Sequence, residues 1–294
     1  MTTYGIIGFG EVGGTFARDL HKAGAAAIIA YDIDEAARKR ALATGYVRLC
    51  ASAAEAANAD IVFVSVTAAS VPAAVQSLAG GLKHAPYVVD VNSVSPTVKQ
   101  QNAELVTRAG GRYVEAAVMT SVPPKGIRSP MLLGGPHAEA FKAEVAALDM
   151  NLTVYSTEVG KASSVKMCRS VMIKGLEALV TECMLSARHY GVEDDVLASL
   201  SDTLPHEDWR NLARYVISRS LVHGKRRAEE MREVARTVSE AGVEPLLSRA
   251  IAERQDWAWK QGKEMGREAL GATELTELLD SLTGAMRPKN QAAE

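Results

Sequence analysis

The stretch YGIIGFGEVGG, Tyr4 to Gly14, decides how the rest of the chain is read. Tyr4, Ile6 and Ile7 make a short apolar strand, and Thr15 to Ala23 reads as a helix. Between them Gly8, Gly10 and Gly13 stand at the G-x-G-x-x-G spacing. The first glycine permits a tight turn, the second lets a pyrophosphate approach the backbone, and the third lets the helix pack closely on the strand. Phosphates then face a helix N-terminus, whose unpaired N–H groups favour negative charge. Gly8, Phe9, Gly10, Glu11, Val12 and Gly13 are the predicted dinucleotide contacts. Glycine-rich turns are common, but this one joins a strand to a helix, and a second strand, Ala27 to Tyr31, ends in Asp32. That offset, about 20 residues, is where a carboxylate accepts a ribose 2′-hydroxyl. Asp32 therefore selects NAD, because it repels a 2′-phosphate. Arg38 and Lys39, a helical turn further on, leave NADP open.

The chain has 294 residues, enough for one large or two medium domains, each with its own core. Acids and bases are mixed throughout, with a net charge of −2. No basic block points to nucleic acid and no basic amphipathic helix to a membrane surface. No apolar run approaches the roughly 18 residues that span a bilayer. The N-terminus enters its first strand at once, leaving no room for a signal peptide, so a cytoplasmic protein is expected. Cys50, Cys168 and Cys183 are scattered and odd in number, as expected of reduced core or near-core thiols. No metal-ligand spacing appears.

The first half alternates strand and helix, the pattern of a parallel sheet covered on both faces. Helix Glu35 to Thr44 follows Asp32, then a strand near Tyr46 to Leu49 and a helix from Ser52 to Ala57. Ile61 to Val66 is a continuous β-branched run, as a strand buried on both faces should be. Thr67 lies at its carboxyl end, where ligands of open α/β sheets bind, and Asn92 and Ser93 close the next strand in the same way. Helix Thr97 to Ala109 leads to strand Tyr113 to Ala117. Residues 118–130 are too irregular for either element, and strand Met131 to Leu133, helix Ala138 to Leu148 and strand Leu152 to Tyr155 complete the sheet. From about Gly160 only helical periodicity remains. One long helix is expected from Ala162 to Tyr190, then Glu207 to Leu221, Ala228 to Ala241 and Pro245 to Gln261. The tail from Arg287 reads as polar and disordered. The fold class is thus an α/β Rossmann domain over residues 1–160, joined by a long interdomain helix to an all-α domain over residues 161–294.

At this point the chain resembles the β-hydroxyacid dehydrogenase and 6-phosphogluconate dehydrogenase superfamily along nearly its whole length. The residues that carry the likeness are Asn92–Ser93 followed by Pro96, the strand Glu115–Ala116–Ala117–Val118, the Gly134–Gly135 turn, and Gly160-x-Ala162-x-x-x-Lys166. The stretch HGKRRAEEM from His223 is similar to a branch described only as 6-phosphogluconate dehydrogenase-like oxidoreductases. The resemblance implies an NAD(P)-dependent enzyme acting on a small anionic hydroxy acid. It also implies a homodimer or higher oligomer built on the long helix, with Lys166 as the catalytic lysine.

A lysine on a helix is ordinarily a solvated charge. Lys166 has Val165 and Met167 beside it and Arg169 close by, surroundings that favour the neutral amine a general base needs. Ser170, one turn on, is placed to hold substrate or the lysine, or else is a small helix contact. The family's Ser-Gly-Gly substrate loop is here Met119, Thr120, Ser121, so a serine at 119 is missing. Thr120 or Ser121 supplies a hydroxyl instead, and Lys125 or Arg128 a positive charge for a carboxylate. His223, Lys225, Arg226 and Arg227 form a basic knot, either a solvated face or, through His223 and Arg227, a partner for an anionic substrate. Two other functions stay open: an imine reductase, against which Lys166 argues, and a non-catalytic NAD(H)-sensing module, for which Met119 argues.

Overall fold

The computed structural model describes residues 2–286, and the predicted tail from Arg287 lies outside the described residues. Two compact units divide at Cys168 and Arg169. The first is built on strands β1 (Thr3–Ile7), β2 (Ala27–Tyr31), β3 (Val47–Leu49), β4 (Ile61–Val64), β5 (Tyr87–Asp90), β6 (Arg112–Val118), β7 (Met131–Gly134) and β8 (Leu152–Ser156). They form one sheet in the order β3-β2-β1-β4-β5-β6-β7-β8. Between them run α1 (Glu11–Lys22), α2 (Glu35–Ala43), α3 (Ala53–Ala56), α4 (Val71–Leu78), α5 (Pro96–Arg108) and α6 (Ala138–Glu144).

Strand β4 shows why both faces are covered. Its residues alternate, Ile61 and Phe63 joining Phe16 and Phe141 on one side while Val62 and Val64 join Val75 and Leu78 on the other. Strands β1 to β6 are mutually parallel, but β6 and β7 pair antiparallel, so β7 and β8 run against the rest. The expected parallel sheet is therefore parallel-dominated. The reason lies in residues 119–130, which carry no crossover helix: a chain that returns directly comes back antiparallel.

The long helix α7 spans Lys161–Tyr190 and crosses from the first unit into the second. The second unit continues with α8 (Glu193–Thr203), α9 (Trp209–Glu240), α10 (Leu246–Glu264), α11 (Arg267–Leu270) and α12 (Leu275–Met286). Its core gathers Met184, Trp209, Ile217, Leu221, Leu278, Leu279 and Leu282. The two helices expected over Glu207–Leu221 and Ala228–Ala241 are one helix of 32 residues, started by Asp208, whose carboxylate accepts the Asn211 N–H at 2.8 Å. Gly224, in the stretch between those two expected helices, is buried where α10 passes: Trp259 Cβ would lie 2.9 Å from a methyl group there. On α10, a methyl at Gly262 would come within 2.6 Å of the Leu221 carbonyl oxygen. The two glycines let antiparallel backbones approach rather than end a helix. Of the three cysteines Cys50 is buried, whereas Cys168 and Cys183 are exposed on α7 and not in a core.

Candidate active site

The glycine turn after β1 is shaped by what each glycine touches. Gly8 has φ +91°, and Gly13 packs so closely that a methyl group would overlap the Gly8 carbonyl. Around Gly10, by contrast, a methyl group would meet nothing within 4 Å. Gly10 also caps α1, and no side-chain hydrogen bond closes that helix end. An open cradle at a helix N-terminus fits a pyrophosphate.

Asp32 stands beside it. Its Oδ2 accepts the Phe9 N–H at 2.6 Å and its Oδ1 accepts the Asp34 N–H at 2.8 Å. Of the cations considered for a 2′-phosphate, Lys39 pairs with Glu35 at 2.8 Å. The guanidinium that reaches the turn belongs to Arg40, whose Nη2 lies 3.5 Å from the Phe9 carbonyl oxygen. Its place on α2, six residues past the Asp34 cap, was the available signal.

At the carboxyl ends of β4 and β5 a buried network fixes the loops. Asn92 Oδ1 accepts the Val66 N–H at 2.8 Å and Asn92 Nδ2 donates to Asp90 Oδ1 at 2.7 Å. The amide of Asn92 is thus turned toward the protein. Asp90 is fully buried with Lys99 Nζ 2.9 Å away, and it accepts from Asn102 and from the Tyr113 hydroxyl. Burial pushes the Asp90 carboxyl up, but Lys99 and these donors together hold it below its ordinary value. The Tyr113 hydroxyl is pushed well up by burial and by Asp90. Ser93 is half-buried. Thr67 is exposed, with Oγ1 3.1 Å from Ser70 Oγ.

The loop over residues 119–130 is fastened to α1. Ile127 N donates to Asp19 Oδ2 at 3.2 Å, and Gly126, with φ +60°, leaves room for that carboxylate. Met119 is half-buried and its N–H donates to the Pro130 carbonyl, while Thr120, Ser121 and Lys125 are exposed. Arg128 turns away to an exposed pair with Asp149 at 3.0 Å, so its charge is engaged there.

The first turn of α7 is held by Glu115 of β6. Its Oε2 accepts the Gly160 N–H at 2.7 Å and its Oε1 the Ser163 N–H at 2.6 Å. Gln100 of α5 donates to the Val159 carbonyl at 3.2 Å, and Pro96 lies close enough that a methyl at Gly160 would be 3.3 Å from its Cβ. The helix therefore begins beside the connection that carries Asn92 and Ser93. Lys166 follows, half-buried, one turn past Ser163.

In the second unit, Ser170 is buried and its Oγ accepts from Lys174 at 3.1 Å, and Lys174 pairs with Glu230 at 3.1 Å. Arg227 is buried against Glu177 at 2.7 Å, with Gln255 donating to the same carboxylate. Burial pushes the Glu177 carboxyl up, opposed by Arg227 and Lys174. Arg226 pairs with Glu230, and Lys225 lies 5.6 Å from the Trp259 ring. The basic knot is thus distributed among partners within its own unit. His223 is pushed down to about 4, first by burial and then by Arg219, Arg226 and Arg227, so its ring is neutral near pH 7.

Known proteins resemble this chain in sequence and in fold. Residues 3–93 match the family described as NADP oxidoreductase coenzyme F420-dependent, and residues 187–258 match the domain of unknown function DUF1932. A conserved hypothetical protein of Sinorhizobium meliloti has a solved structure 36% identical in sequence. The alignment covers 97% of each chain with a TM-score of 0.73. The conserved protein MTH1747, reported as structurally similar to 3-hydroxyacid dehydrogenases, is 30% identical over 88% of this chain and 99% of its own, with a TM-score of 0.68. Mitochondrial 3-hydroxyisobutyrate dehydrogenase of Drosophila melanogaster is 25% identical over 210 residues, 70% of this chain but only 64% of that enzyme.

Proposed function

The chain belongs to the β-hydroxyacid and 6-phosphogluconate dehydrogenase superfamily, and from that premise we propose that it is an NAD(P)-dependent oxidoreductase of small 3-hydroxy acids. The observation that carries the reading is the open, donor-lined glycine turn beside Asp32 on the same sheet whose β6 carboxylate holds the start of the Lys166 helix. A nicotinamide dinucleotide bound at that turn supplies the hydride acceptor. Gly8 to Gly13 would hold its phosphates and Asp32 its adenosine ribose, and Thr67 and Ser93 follow the carboxyl ends of the neighbouring strands β4 and β5. Lys166, as the neutral amine, takes the proton of the substrate hydroxyl while the hydrogen on the same carbon leaves with its electron pair. In the reverse direction the Lys166 ammonium returns that proton to the carbonyl oxygen. Thr120, Ser121 and Lys125 are the exposed loop groups suited to an anionic substrate, and Asp32 favours NAD.

The test is a screen of 3-hydroxypropionate, 3-hydroxyisobutyrate and serine with each dinucleotide, read by reduced-cofactor absorbance. Lys166→Ala should keep dinucleotide binding and lose at least about 100-fold in turnover, the scale of a general acid/base. Binding with no turnover of any hydroxy acid by the wild type would favour the NAD(H)-sensing alternative, for which Met119 argues.

A homodimer belongs to the same proposal. Met172, Leu179 and Tyr190 of α7 are 74%, 68% and 75% exposed. They recur after about two and about three helical turns, and so share one stripe. A second copy of this chain covers that stripe. Light scattering that finds a monomer at micromolar concentration removes this part alone.

A further inference from the structure

Three landmarks of the sequence, Glu115, Gly134 and Gly160, meet in one device. Glu115 is completely buried, and its carboxylate is shared between the N–H of Gly160, the cap position of α7, and the N–H of Ser163, in the first turn. Capping boxes elsewhere use two side chains of the helix itself for these two donors. Here Gly160 has no side chain to offer, and one carboxylate from the sheet does both jobs. Ser163 and Ser164 close the turn by donating to the Gly160 carbonyl at 3.0 and 2.7 Å. Gly134 on β7 makes the room, since a methyl group there would overlap Glu115 Oε2. Gly160 has φ +102°, and Pro96 and Gln100 of α5 close the other side of the socket. The neighbouring strand residue, Asp90, has its own cation in Lys99. The charge of Glu115 is instead met by the two N–H groups and the positive end of a 30-residue helix.

We propose that Glu115 is a positioning residue for Lys166, fixing the height and rotation of the first turns of α7 against the sheet. The inference rests on the acid/base reading of Lys166 above. A helix held only by apolar packing can slide or roll by fractions of an ångström. Two short, charge-assisted bonds from a rigid strand remove that freedom one turn before the amine. Glu115 touches neither substrate nor dinucleotide in this scheme, and it acts through the helix.

The test uses the full chain with NAD+ and two readouts. The first is the pH midpoint of Lys166 acetylation by acetic anhydride, followed by mass spectrometry with Lys39 and Lys125 as references; it needs no substrate. The second is turnover of 3-hydroxyisobutyrate. Glu115→Asp keeps the charge and draws it back by one methylene. It should shift the Lys166 midpoint by about 0.5 pH unit or more, because the amine changes surroundings. It should also cut kcat by about 10- to 100-fold, as small misplacements do, with the KM for NAD+ within about twofold. A Lys166 midpoint that stays with the wild type overturns the proposal, whatever the melting temperature does, since lost stability alone is what a plain helix cap predicts. If the Asp variant does not fold, Gly134→Ala presses on the same carboxylate oxygen and the same readouts decide. In a Lys166→Ala background Glu115→Asp should leave the residual rate unchanged, and a second fall of equal size overturns the proposal. Full turnover by Lys166→Ala would instead sink the acid/base reading, and the acetylation midpoint would still decide whether Glu115 sets the place of Lys166.

Discussion

Asp32 and Phe9 are joined across the ends of β2 and β1 by a 2.6 Å hydrogen bond from the Phe9 N–H to Asp32 Oδ2. The carboxylate expected to meet a ribose thus already holds the glycine turn in shape, with Oδ1 steadied by Asp34. Asp32→Asn keeps the side chain's size and one acceptor oxygen for the Phe9 N–H, but loses the charge and the second acceptor, which meets the Asp34 N–H. It should weaken NAD+ by about 10-fold, in line with a hydrogen bond to a charged group, and raise the NADP+/NAD+ affinity ratio. Asp32→Ala should weaken both dinucleotides, because the turn loosens too. Fluorescence titration with each cofactor checks this, and an Asp32→Ala protein that binds NADP+ better than wild type would refute the turn-holding part.

Lys99 and Lys39 make opposite predictions from similar distances. Lys99 lies 2.9 Å from Asp90 with both side chains fully buried, whereas Lys39 lies 2.8 Å from Glu35 in solvent. Removing one partner of a buried pair strands the other charge, so Lys99→Met should destabilise by about 3–5 kcal/mol. Lys39→Met should cost less than about 1 kcal/mol, since exposed pairs are screened by water and salt. Urea unfolding of the two variants measures the contrast, which a similar loss in both would contradict.

What the sequence disclosed divides along the range of the interactions. The strand-turn-helix from Tyr4 and the carboxylate at Asp32 are local patterns, and both stand where they were expected. The irregular residues 118–130 held the direction of β7 implicitly, because a connection without a helix returns antiparallel. The single helix α9 was not legible locally, because a glycine such as Gly224 inside a helical pattern signals either an end or a close neighbour, and only the fold shows α10 beside it. Glu115 was visible as a landmark but not as a cap, since its partners Gly160 and Ser163 lie 45 and 48 residues away. Likewise, nothing local to HGKRR tells that Arg227 meets Glu177, 50 positions earlier.

The glycines of the second unit can be sorted by what surrounds them. A methyl at Gly262 would sit 2.6 Å from the Leu221 carbonyl oxygen, and one at Gly224 would overlap the Gln255 carbonyl. Either substitution to alanine must push α9 and α10 apart, and overpacking of this kind costs about 1–3 kcal/mol or more. Gly284 lies within α12, with nothing within 4 Å of a methyl group. Gly284→Ala should stabilise by about 0.5–1 kcal/mol through helix propensity alone. Thermal unfolding of the three variants should move in these opposite directions, and a stabilised Gly224→Ala would show that the two helices do not meet there.

His223 gives the second unit a pH dependence whose sign is fixed by its surroundings. Burial and the charges of Arg219, Arg226 and Arg227 bring its folded value down to about 4 from an ordinary 6.5, with Glu230 pulling weakly the other way. Between those two values the unfolded chain binds the proton and the folded one does not. Stability therefore is complete above about pH 6.5 and falls as the pH drops toward 4. The ring is only half-buried and water screens it, so its slope is a fraction of the about 1.4 kcal/mol per pH unit that one proton sets. His223→Gln cannot take up the proton in either state, and it should flatten part of the decline between pH 6.5 and 4 in a urea-unfolding series while leaving pH 7.5 little changed. Carboxylates such as Asp90, held below its ordinary value, add losses of their own at lower pH, and the variant leaves these in place. An identical pH profile for wild type and His223→Gln would mean that the imidazole titrates as freely in the folded protein as in the unfolded one, and that the arginines of α9 do not press on it.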